Sequence, residues 1–503
     1  MNIRWNVVAN YVGQGYSTLI AIVMLPFYLK HLGAEAYGLV GFFAMLQAWF
    51  ALLDMGLSPT LSRQMAHKRG QAVSGWGELR KLLRSIEVLF MLLAFVIGLG
   101  IWLSSDWIAT RWLTVQTLSH DEVAYCITLM GIMFGMRWFA SLYRGGVQGM
   151  ERMVWLNAVT IVLATLRFVG VYALLLWVTQ KPRHFFEFQL AISVIELWIL
   201  AAKLYRLTPH RTDAGEVWFS WSALNAVLPF ASGIAYTSGL WILLTQVDKL
   251  ILSHALPLKE FGYFTLVAVV ANGLLSLTGP VKQAILPRMT LLLSRGDAPA
   301  MLDLYRKSTL VVAGVIFPIT GTVAIFSTEL LYAWTGDKAA ADWAGPVLKW
   351  FVLGNGILAI AAFPYYLQFA YGRIRLHVIN STINAVIQVP ILAFAAYQYG
   401  ALGVAYAWFG VRLFGFLIFP AIVHHQLVPG FHKKWLLRDV LTPALVTGVV
   451  IGMAWRVLRI EGDWSRLEML VAIATMVMVT CLFNFVAMLY SSKLWKMRLS
   501  NGQ

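Results

Sequence analysis

Long apolar segments separated by short polar ones follow one another along the whole chain. Fourteen such segments lie between residues 7 and 490, and each has roughly the 20 residues needed to cross ~30 Å of hydrocarbon. Only helices and closed barrels satisfy their backbone in lipid, and these segments lack the strict alternation of barrel strands. The pattern therefore predicts an all-α polytopic membrane protein with about 14 transmembrane helices.

A polar stripe interrupts the first apolar segment. Asn6, Asn10, Gln14 and Ser17 follow at spacings of four, four and three, which places them on one helix face. Amides and hydroxyls can tie helices together, or they can exchange hydrogen bonds with sugar hydroxyls. Both interpretations stay open, and Asn10 and Gln14 are candidate substrate-binding residues.

The chain contains an internal repeat with an offset of 223 residues. The segment 143–157 (YRGGVQGMERMVWLN) matches 366–380 (YLQFAYGRIRLHVIN), and further matches pair 28–40 with 251–267 and 79–85 with 302–308. The offset covers six segments, an even number, so the two copies cross the membrane in the same direction. This predicts two parallel six-helix repeats plus two extra helices, with the following division: 1–205 as the N-lobe, 206–224 as a cytoplasmic linker, 225–426 as the C-lobe, and 427–503 as helices 13–14 and a cytoplasmic tail.

Charge follows the predicted topology. The chain is 59% hydrophobic and 12% charged, with a net charge of +16. With residues at helix ends included, and with Arg144 assigned to the fourth loop, even-numbered loops carry 19 Lys and Arg and odd-numbered loops carry 9. The positive-inside rule then places both termini in the cytoplasm and makes a nucleic-acid partner unnecessary as an explanation of the charge.

Charged residues inside the predicted spans are the candidate chemistry. A charge near the bilayer centre costs at least ~2.5–3.5 kcal/mol on insertion scales, so each one needs a partner or a wet cavity. Seven cations lie within the spans: Arg63, Arg137, Arg167, Lys249, Lys282, Lys349 and Arg412. Three anions accompany them: Asp54, Glu196 and Asp248.

Their positions and their balance suggest roles. Lys249 and Lys349 can snorkel at helix ends, and Glu196 can pair with Arg137 or Arg167. Pairing still leaves four excess cations, which favours an anionic guest, and the arginine fork fits phosphate oxygens. The predicted substrate-binding cations are Arg63, Arg137, Arg167, Lys282 and Arg412. The predicted ion-coupling or gating residues are Asp54, Glu196, Asp248 and Lys249.

Several other functions lack their sequence signatures. There is no nucleotide-binding G-x-x-x-x-G-K-[ST] motif, and Cys126 and Cys481 have no neighbours at metal-ligand spacing. The longest predicted loop has about 22 residues, too few for a catalytic domain. We therefore predict a non-enzyme without catalytic residues, metal or cofactor.

Specific segments resemble a known family. The stretch 29–66 holds an "LG…YGL" turn, then Asp54-Met55-Gly56 and Arg63, and 246–264 (QVDKLILSHALPLKEFGYF) repeats the turn. With the fourth loop at 143–157, these segments resemble the polysaccharide transporter branch of the multidrug/oligosaccharidyl-lipid/polysaccharide (MOP) exporter superfamily. The resemblance covers helices 1–12.

The resemblance implies a flippase. Such proteins move undecaprenyl-pyrophosphate-linked oligosaccharide units from the cytoplasmic to the outer leaflet by alternating access, for O-antigen or exopolysaccharide synthesis. It implies a cavity between two bundles, the bacterial inner membrane as location, and membrane lipids, a polysaccharide polymerase and a chain-length regulator as partners. Helix 1 lacks the arginines of some lipid flippases in the superfamily. The alternatives are an ion-coupled multidrug antiporter of the same superfamily and a membrane-embedded polysaccharide-synthesis enzyme.

Overall fold

The computed structural model describes residues 3–69, 76–208, 219–457 and 464–500. Helices dominate these ranges, and the only β-type pairing in them is an isolated bridge between Thr114 and Pro257. Much of the predicted linker 206–224 lies outside the described residues, as does the centre of the basic second loop. Contacts divide the chain into two compact units, residues 1–262 and 263–503.

The first unit consists of nine helices and the start of a tenth. They are α1 (Ile3–Leu32), α2 (Ala34–Phe50), α3 (Leu57–Arg69), α4 (Trp76–Trp107), α5 (His120–Gly149), α6 (Met153–Thr165), α7 (Val171–Trp177), α8 (Pro182–Leu207), α9 (Trp221–Ala255) and α10 (Leu258–Ser276). A 3₁₀ turn (Ala51–Asp54) extends α2, and a π-helical turn (Leu166–Gly170) joins α6 to α7.

The second unit continues with eight helices. They are α11 (Gly279–Ser294), α12 (Ala298–Ile325), α13 (Ser327–Thr335), α14 (Lys338–Ala370), α15 (Arg375–Leu427), α16 (His432–Lys434), α17 (Thr442–Val457) and α18 (Arg466–Ser500). A second π-helical turn (Trp435–Leu441) precedes α17. Side chains start some of these helices: Asp297 caps α12 and Asp337 caps α14, each by accepting from a backbone N–H at 3.0 Å.

The number of membrane crossings agrees with the prediction. Within the described residues, 12 helices are long and apolar enough to span a bilayer, and α9, bent by 54°, makes a thirteenth. One of them, α15, has 53 residues and turns sharply at Gly400, whose φ is 61°. That length is close to 80 Å at about 1.5 Å per residue, enough for two crossings. Counting both halves of α15 gives the fourteen spans that the sequence predicts.

The helix boundaries repeat at the predicted offset. Helix α1 ends at Leu32 and α9 ends at Ala255, 223 residues later. The break between α2 and α3 contains Gly56, and the break between α10 and α11 ends at Gly279, again 223 residues later. The two copies therefore share their helix pattern, including an interruption in the second helix of each. By contacts α9 groups with the first unit, whereas the repeat assigns it to the C-lobe; the lobe boundaries stay a prediction.

Large apolar side chains cover much of the surface. Phe95, Leu103 and Trp177 are 67%, 69% and 82% exposed, as expected for residues that face lipid tails. Because lipid is as apolar as leucine, helices in a membrane associate through close packing of small residues and through hydrogen bonds. The candidate site is built on one such close contact.

Candidate functional site

The first unit contains a cavity of about 550 Å³ between the 34–69 segment and α5. This volume falls in the usual range of small-molecule sites. Its lining combines charged, amide, hydroxyl and aromatic side chains with two small backbone positions. The lining residues are Gln47, Phe50, Ala51, Asp54, Ser58, Pro59, Ser62, Phe134, Arg137, Trp138, Ser141, Arg144, Gly145 and Gln148.

The break between α2 and α3 forms one wall. Met55 and Gly56 adopt left-handed conformations, with φ of 49° and 71°. Asp54 then accepts hydrogen bonds from the backbone N–H of Ser58, at 3.3 Å, and from its hydroxyl, so it caps the start of α3. A Cβ at Gly56 would lie 2.8 Å from the carbonyl oxygen of Ala231 in α9. The Asp-x-Gly motif therefore has a local explanation: the aspartate caps a helix and the glycine permits the turn and the contact.

Close packing of α5 on α3 sets the opposite wall. Gly145 and Gly149 stand one turn apart, and a Cβ at Gly145 would lie 2.7 Å from the carbonyl oxygen of Ser58. This small-xxx-small pattern lets the two backbones approach. It also fixes the rotation of α5, so that Arg137, Ser141, Arg144 and Gln148, at spacings of four, three and four, all face the cavity.

Glu196 holds two arginines behind this wall. One carboxylate oxygen accepts from Arg144 at 2.7 Å and the other accepts from Arg167 at 2.7 Å. Glu196 lies in the middle of α8 and is 7% exposed, and Arg167 lies in the π-helical turn after α6. Of the two pairs predicted for Glu196, the structure forms the one with Arg167.

Arg137 carries a charge that no carboxylate balances. Its guanidinium donates to the side-chain oxygen of Gln47 and lies 4.7 Å from the ring centroid of Phe43. Among the described residues it forms no salt bridge, and the Nε atoms of both Arg137 and Arg167 are buried without a hydrogen-bond partner. Donors of this kind are costly to bury, and an anion in the cavity would relieve part of that cost.

The site combines an excess of positive charge with neutral hydrogen-bonding groups. Three guanidinium groups face one glutamate, and Asp54 supplies a second carboxylate on the far wall. Ser58, Ser141 and Gln148 provide hydroxyl and amide groups, and Phe50 and Trp138 provide aromatic surface. This arrangement can hold an anionic group beside a polyhydroxylated one. No cluster of three or more His, Cys, Asp or Glu side chains suited to a metal ion occurs in the described ranges.

The repeat does not duplicate this cluster. At the offset of 223, every charged position of the cluster corresponds to an apolar residue. Arg137, Arg144, Arg167 and Glu196 correspond to Ile360, Leu367, Pro390 and Phe419. Ile360, Leu367 and Phe419 are buried in the second unit, so hydrophobic packing occupies the positions that carry charge in the first.

The polar stripe of α1 is divided between two roles. Asn10 accepts from the Nδ2 atom of Asn157 in α6 at 2.6 Å, and Tyr16 bonds to Thr165 at 2.7 Å. Asn10 is therefore tied to a neighbouring helix, whereas Gln14 is exposed. The side chain of Asn6 lies outside the described part of the chain. Neither Asn10 nor Gln14 lines the cavity.

The other predicted cations lie elsewhere. Arg63 is exposed on α3, just beyond the cavity wall. Lys282 is exposed near the start of α11, with its Nζ atom 5.7 Å from the ring centroid of Tyr365. Arg412 lies in the second half of α15, 4.4 Å from the ring centroid of Trp408. The structure therefore does not gather all five predicted cations into one site; Arg137 and Arg167 are the two that meet.

Asp248 and Lys249 form a separate pair on α9. Asp248 is 1% exposed, and the Nζ atom of Lys249 lies 3.4 Å from its carboxylate. Lys249 also donates to the carbonyl oxygen of Thr245 at 3.0 Å. All three residues belong to one helix, so the pair neutralises buried charge locally. A gating role for it stays a prediction.

Arg144 is the functional residue that the sequence analysis missed. Assigned there to the fourth loop, it lies within α5, which continues to Gly149. A helical signal was present, because Arg144 follows Arg137 by seven residues and so shares its helix face. The wrong assignment came from placing the end of the apolar segment too early.

Comparisons with known proteins agree with the resemblance seen in the sequence. A profile of the family described as polysaccharide biosynthesis protein matches residues 3–293. A Shigella flexneri protein provisionally named an O-antigen transporter is 20% identical over 420 residues, which cover 81% of this chain and 94% of that protein.

Solved structures match the fold at low sequence identity. The lipid II flippase MurJ, in an inward closed conformation, is 12% identical with a TM-score of 0.71, and the match covers 97% of this chain and 99% of MurJ. An inward-facing multidrug resistance MATE family transporter of the MOP superfamily is 13% identical with a TM-score of 0.64, over 83% of this chain and 96% of that one. The chain therefore has the MOP transporter fold.

Proposed function

The chain belongs to the polysaccharide biosynthesis protein family, and from this premise we propose that it is a flippase. Its substrate is an undecaprenyl-pyrophosphate-linked oligosaccharide repeat unit, which it moves from the cytoplasmic to the outer leaflet of the bacterial inner membrane by alternating access. The product serves O-antigen or exopolysaccharide synthesis. Both termini lie in the cytoplasm, and a polymerase and a chain-length regulator act on the product.

One observation carries this proposal: a cavity within the membrane-spanning helices has three arginines and a single glutamate around it. Cations at this depth are expensive unless they serve a guest. Guanidinium groups donate pairs of parallel hydrogen bonds to phosphate oxygens, and a pyrophosphate diester offers two negative charges. Arg137 and Arg144 reach the cavity directly, which suits the charged part of a lipid headgroup.

The neutral part of the lining suits sugars. Ser58, Ser141 and Gln148 can donate and accept hydrogen bonds to hydroxyl groups without adding charge. Trp138 donates from its indole N–H to the carbonyl oxygen of Phe50 at 2.9 Å, so its ring is held in place beside the cavity. In this proposal the headgroup passes through the protein while the polyprenyl chain stays in lipid.

Ion coupling is assigned to Asp54 in preference to Glu196. Both oxygens of Glu196 already accept from arginines, which stabilises the ionised form. Asp54 lines the cavity and is held by Ser58, a neutral partner, so a proton or a sodium ion can neutralise it more easily. The energy for transport then comes from an ion gradient.

A multidrug antiporter of the same superfamily is the second candidate. The fold admits it, since a MATE transporter is among the structural matches. A cavity that exports cationic drugs needs excess negative charge, however, and the local balance here is positive. The flippase proposal accounts for that balance.

Complementation tests the proposal. A bacterial strain that lacks the flippase for its own undecaprenyl-linked repeat units would carry Arg137→Gln, Arg144→Gln or Arg167→Gln variants of this chain. Each variant is expected to lower surface polysaccharide by about tenfold or more at unchanged protein level, because each removes a charge-assisted hydrogen bond.

Arg183→Gln is the matched control. Arg183 is exposed at the start of α8 and pairs with Glu187 on the surface, so its loss should leave polysaccharide unchanged. Full complementation by all three cavity variants would contradict the proposal. The second candidate would gain support if wild-type protein instead conferred resistance to cationic drugs.

A further inference from the structure

Glu196 is not part of the cavity lining, yet it organises the arginines that are. It is buried in α8 and reaches Arg144, which faces the cavity, and Arg167, which does not. Its three elements come from distant parts of the chain: α5, the π-helical turn after α6, and α8. One carboxylate therefore fixes two guanidinium groups from two different helical segments.

Further hydrogen bonds hold both arginines in place. Arg144 donates through its other Nη atom to the hydroxyl of Thr160 at 2.9 Å. The carbonyl oxygen of Arg167 accepts from Gln189 at 3.1 Å, and Gln189 lies on α8 two turns before Glu196. The guanidinium of Arg144 therefore meets a ligand from a preset position, and little side-chain entropy is lost when the ligand binds.

Glu196 also sets the charge of the cluster. With it, the three arginines sum to two positive charges; without it, they sum to three. In a low-dielectric interior one uncompensated charge changes the affinity for an anion strongly. A transport site has to release what it binds, so affinity beyond that needed for loading slows the cycle.

We propose that Glu196 is the positioning residue of the arginine cavity, which holds Arg144 in place and keeps the cluster weak enough to release a diphosphate headgroup. This inference rests on the proposed function for the identity of the headgroup. It assigns to Glu196 the balance between capture and release, which is distinct from ion coupling.

The experiment separates binding from transport. Purified full-length protein in lipid nanodiscs would be titrated with inorganic pyrophosphate by calorimetry, and the flipping of a fluorescent lipid-linked oligosaccharide would be followed in vesicles. For Glu196→Gln we expect pyrophosphate affinity to rise about tenfold, with KM and kcat of flipping both falling, because the added net charge retains the anion. Glu196→Asp, which keeps the charge, should restore most of the turnover.

A charge-balanced variant guards against misfolding. Arg144→Gln combined with Glu196→Gln leaves two positive charges, as in the wild type, and should bind pyrophosphate within about threefold of wild type while Arg144→Gln alone binds more weakly. Unchanged or weaker pyrophosphate binding by Glu196→Gln overturns the inference, as does a fall in kcat without a fall in KM. If wild-type protein binds pyrophosphate and Glu196→Gln tightens it, but no lipid-linked oligosaccharide is flipped, only the proposed function fails.

Discussion

Asn157 donates to the Oδ1 atom of Asn10 across 2.6 Å, and this bond joins α6 to the first helix of the chain. Hydrogen bonds between transmembrane helices contribute modestly, because the alternative partners are also within reach. The bond therefore makes Asn10 a structural residue, and it separates Asn10 from its neighbour Gln14 on the same face.

Replacing Asn10 by alanine is expected to lower the stability of the protein without abolishing transport. The expected loss is roughly 0.5–2 kcal/mol in the free energy of unfolding, since one interhelical hydrogen bond is removed. Thermal unfolding in detergent would measure it, and Asn157→Ala should give no further loss in the double variant. Gln14→Ala is the control, because Gln14 is exposed and should leave the unfolding temperature unchanged. Additive losses for Asn10 and Asn157 would show that the two amides act independently.

Replacing Gly149 by alanine tests the contact between α5 and α3. The added Cβ would collide with the backbone carbonyl of Ser62, which cannot move without shifting α3. We expect a loss of about 1–3 kcal/mol in the free energy of unfolding, with reduced flipping because the cavity wall is displaced. Gly98→Ala is the matched control, since nothing lies within 4 Å of a Cβ there. An equally stable Gly149→Ala variant would contradict the packing argument.

Two replacements of Asp54 separate capping from ion coupling. Asp54→Ala removes the cap of α3 and should cost about 0.5–2 kcal/mol of stability, whereas Asp54→Asn keeps a capping side chain and should cost little. Both remove the negative charge, so both should make flipping independent of the ion gradient. Unfolding temperature and flipping with and without a gradient are the measurements. If Asp54→Asn transports with normal gradient dependence, the carboxylate serves capping alone.

The ion pair between Arg306 and Asp439 anchors the C-terminal helices to the second unit. Arg306 in α12 donates to the two carboxylate oxygens at 2.7 and 2.8 Å, and Asp439, in the π-helical turn before α17, is 2% exposed. Removing either partner leaves a buried charge, so Arg306→Met or Asp439→Asn should cost about 3–5 kcal/mol. Thermal unfolding would report the loss.

The double variant with both replacements is the control for this pair. It removes both charges together and should recover most of the lost stability. The exposed pair between Asp303 and Lys307 on the same helix offers a comparison, and Lys307→Met should change stability by less than about 1 kcal/mol. No recovery in the double variant would indicate that each residue acts through other contacts.

The sequence predicted the architecture well, because the membrane imposes a strong pattern. Spans have a fixed minimum length and must be apolar, so their number and helical nature follow from hydropathy. The 223-residue repeat also located the interruptions at Gly56 and Gly279, although only as matched segments. The merger of two spans into α15 was beyond prediction, because the chain turns there at a single glycine, Gly400.

The site was predicted only in part, because pairing depends on helix rotation. Counting buried charges identified Arg137, Arg167 and Glu196, but it could not decide which of them meet. The rotation of α5 follows from the close approach of Gly145 and Gly149 to α3, which a single sequence does not reveal. The position of Arg167 depends on a π-helical turn, where the extra residue shifts the helix face away from regular spacing.

The loss of the charged cluster from the second copy of the repeat has a consequence for stoichiometry. A chain with two equivalent halves would load two headgroups in each cycle, one on each half. Here Ile360, Leu367 and Phe419 are packed where the first copy has Arg137, Arg144 and Glu196, so one half has kept the cargo function and the other has become scaffold. We therefore expect one diphosphate bound per chain, and duplication in this protein has led to division of labour between its halves.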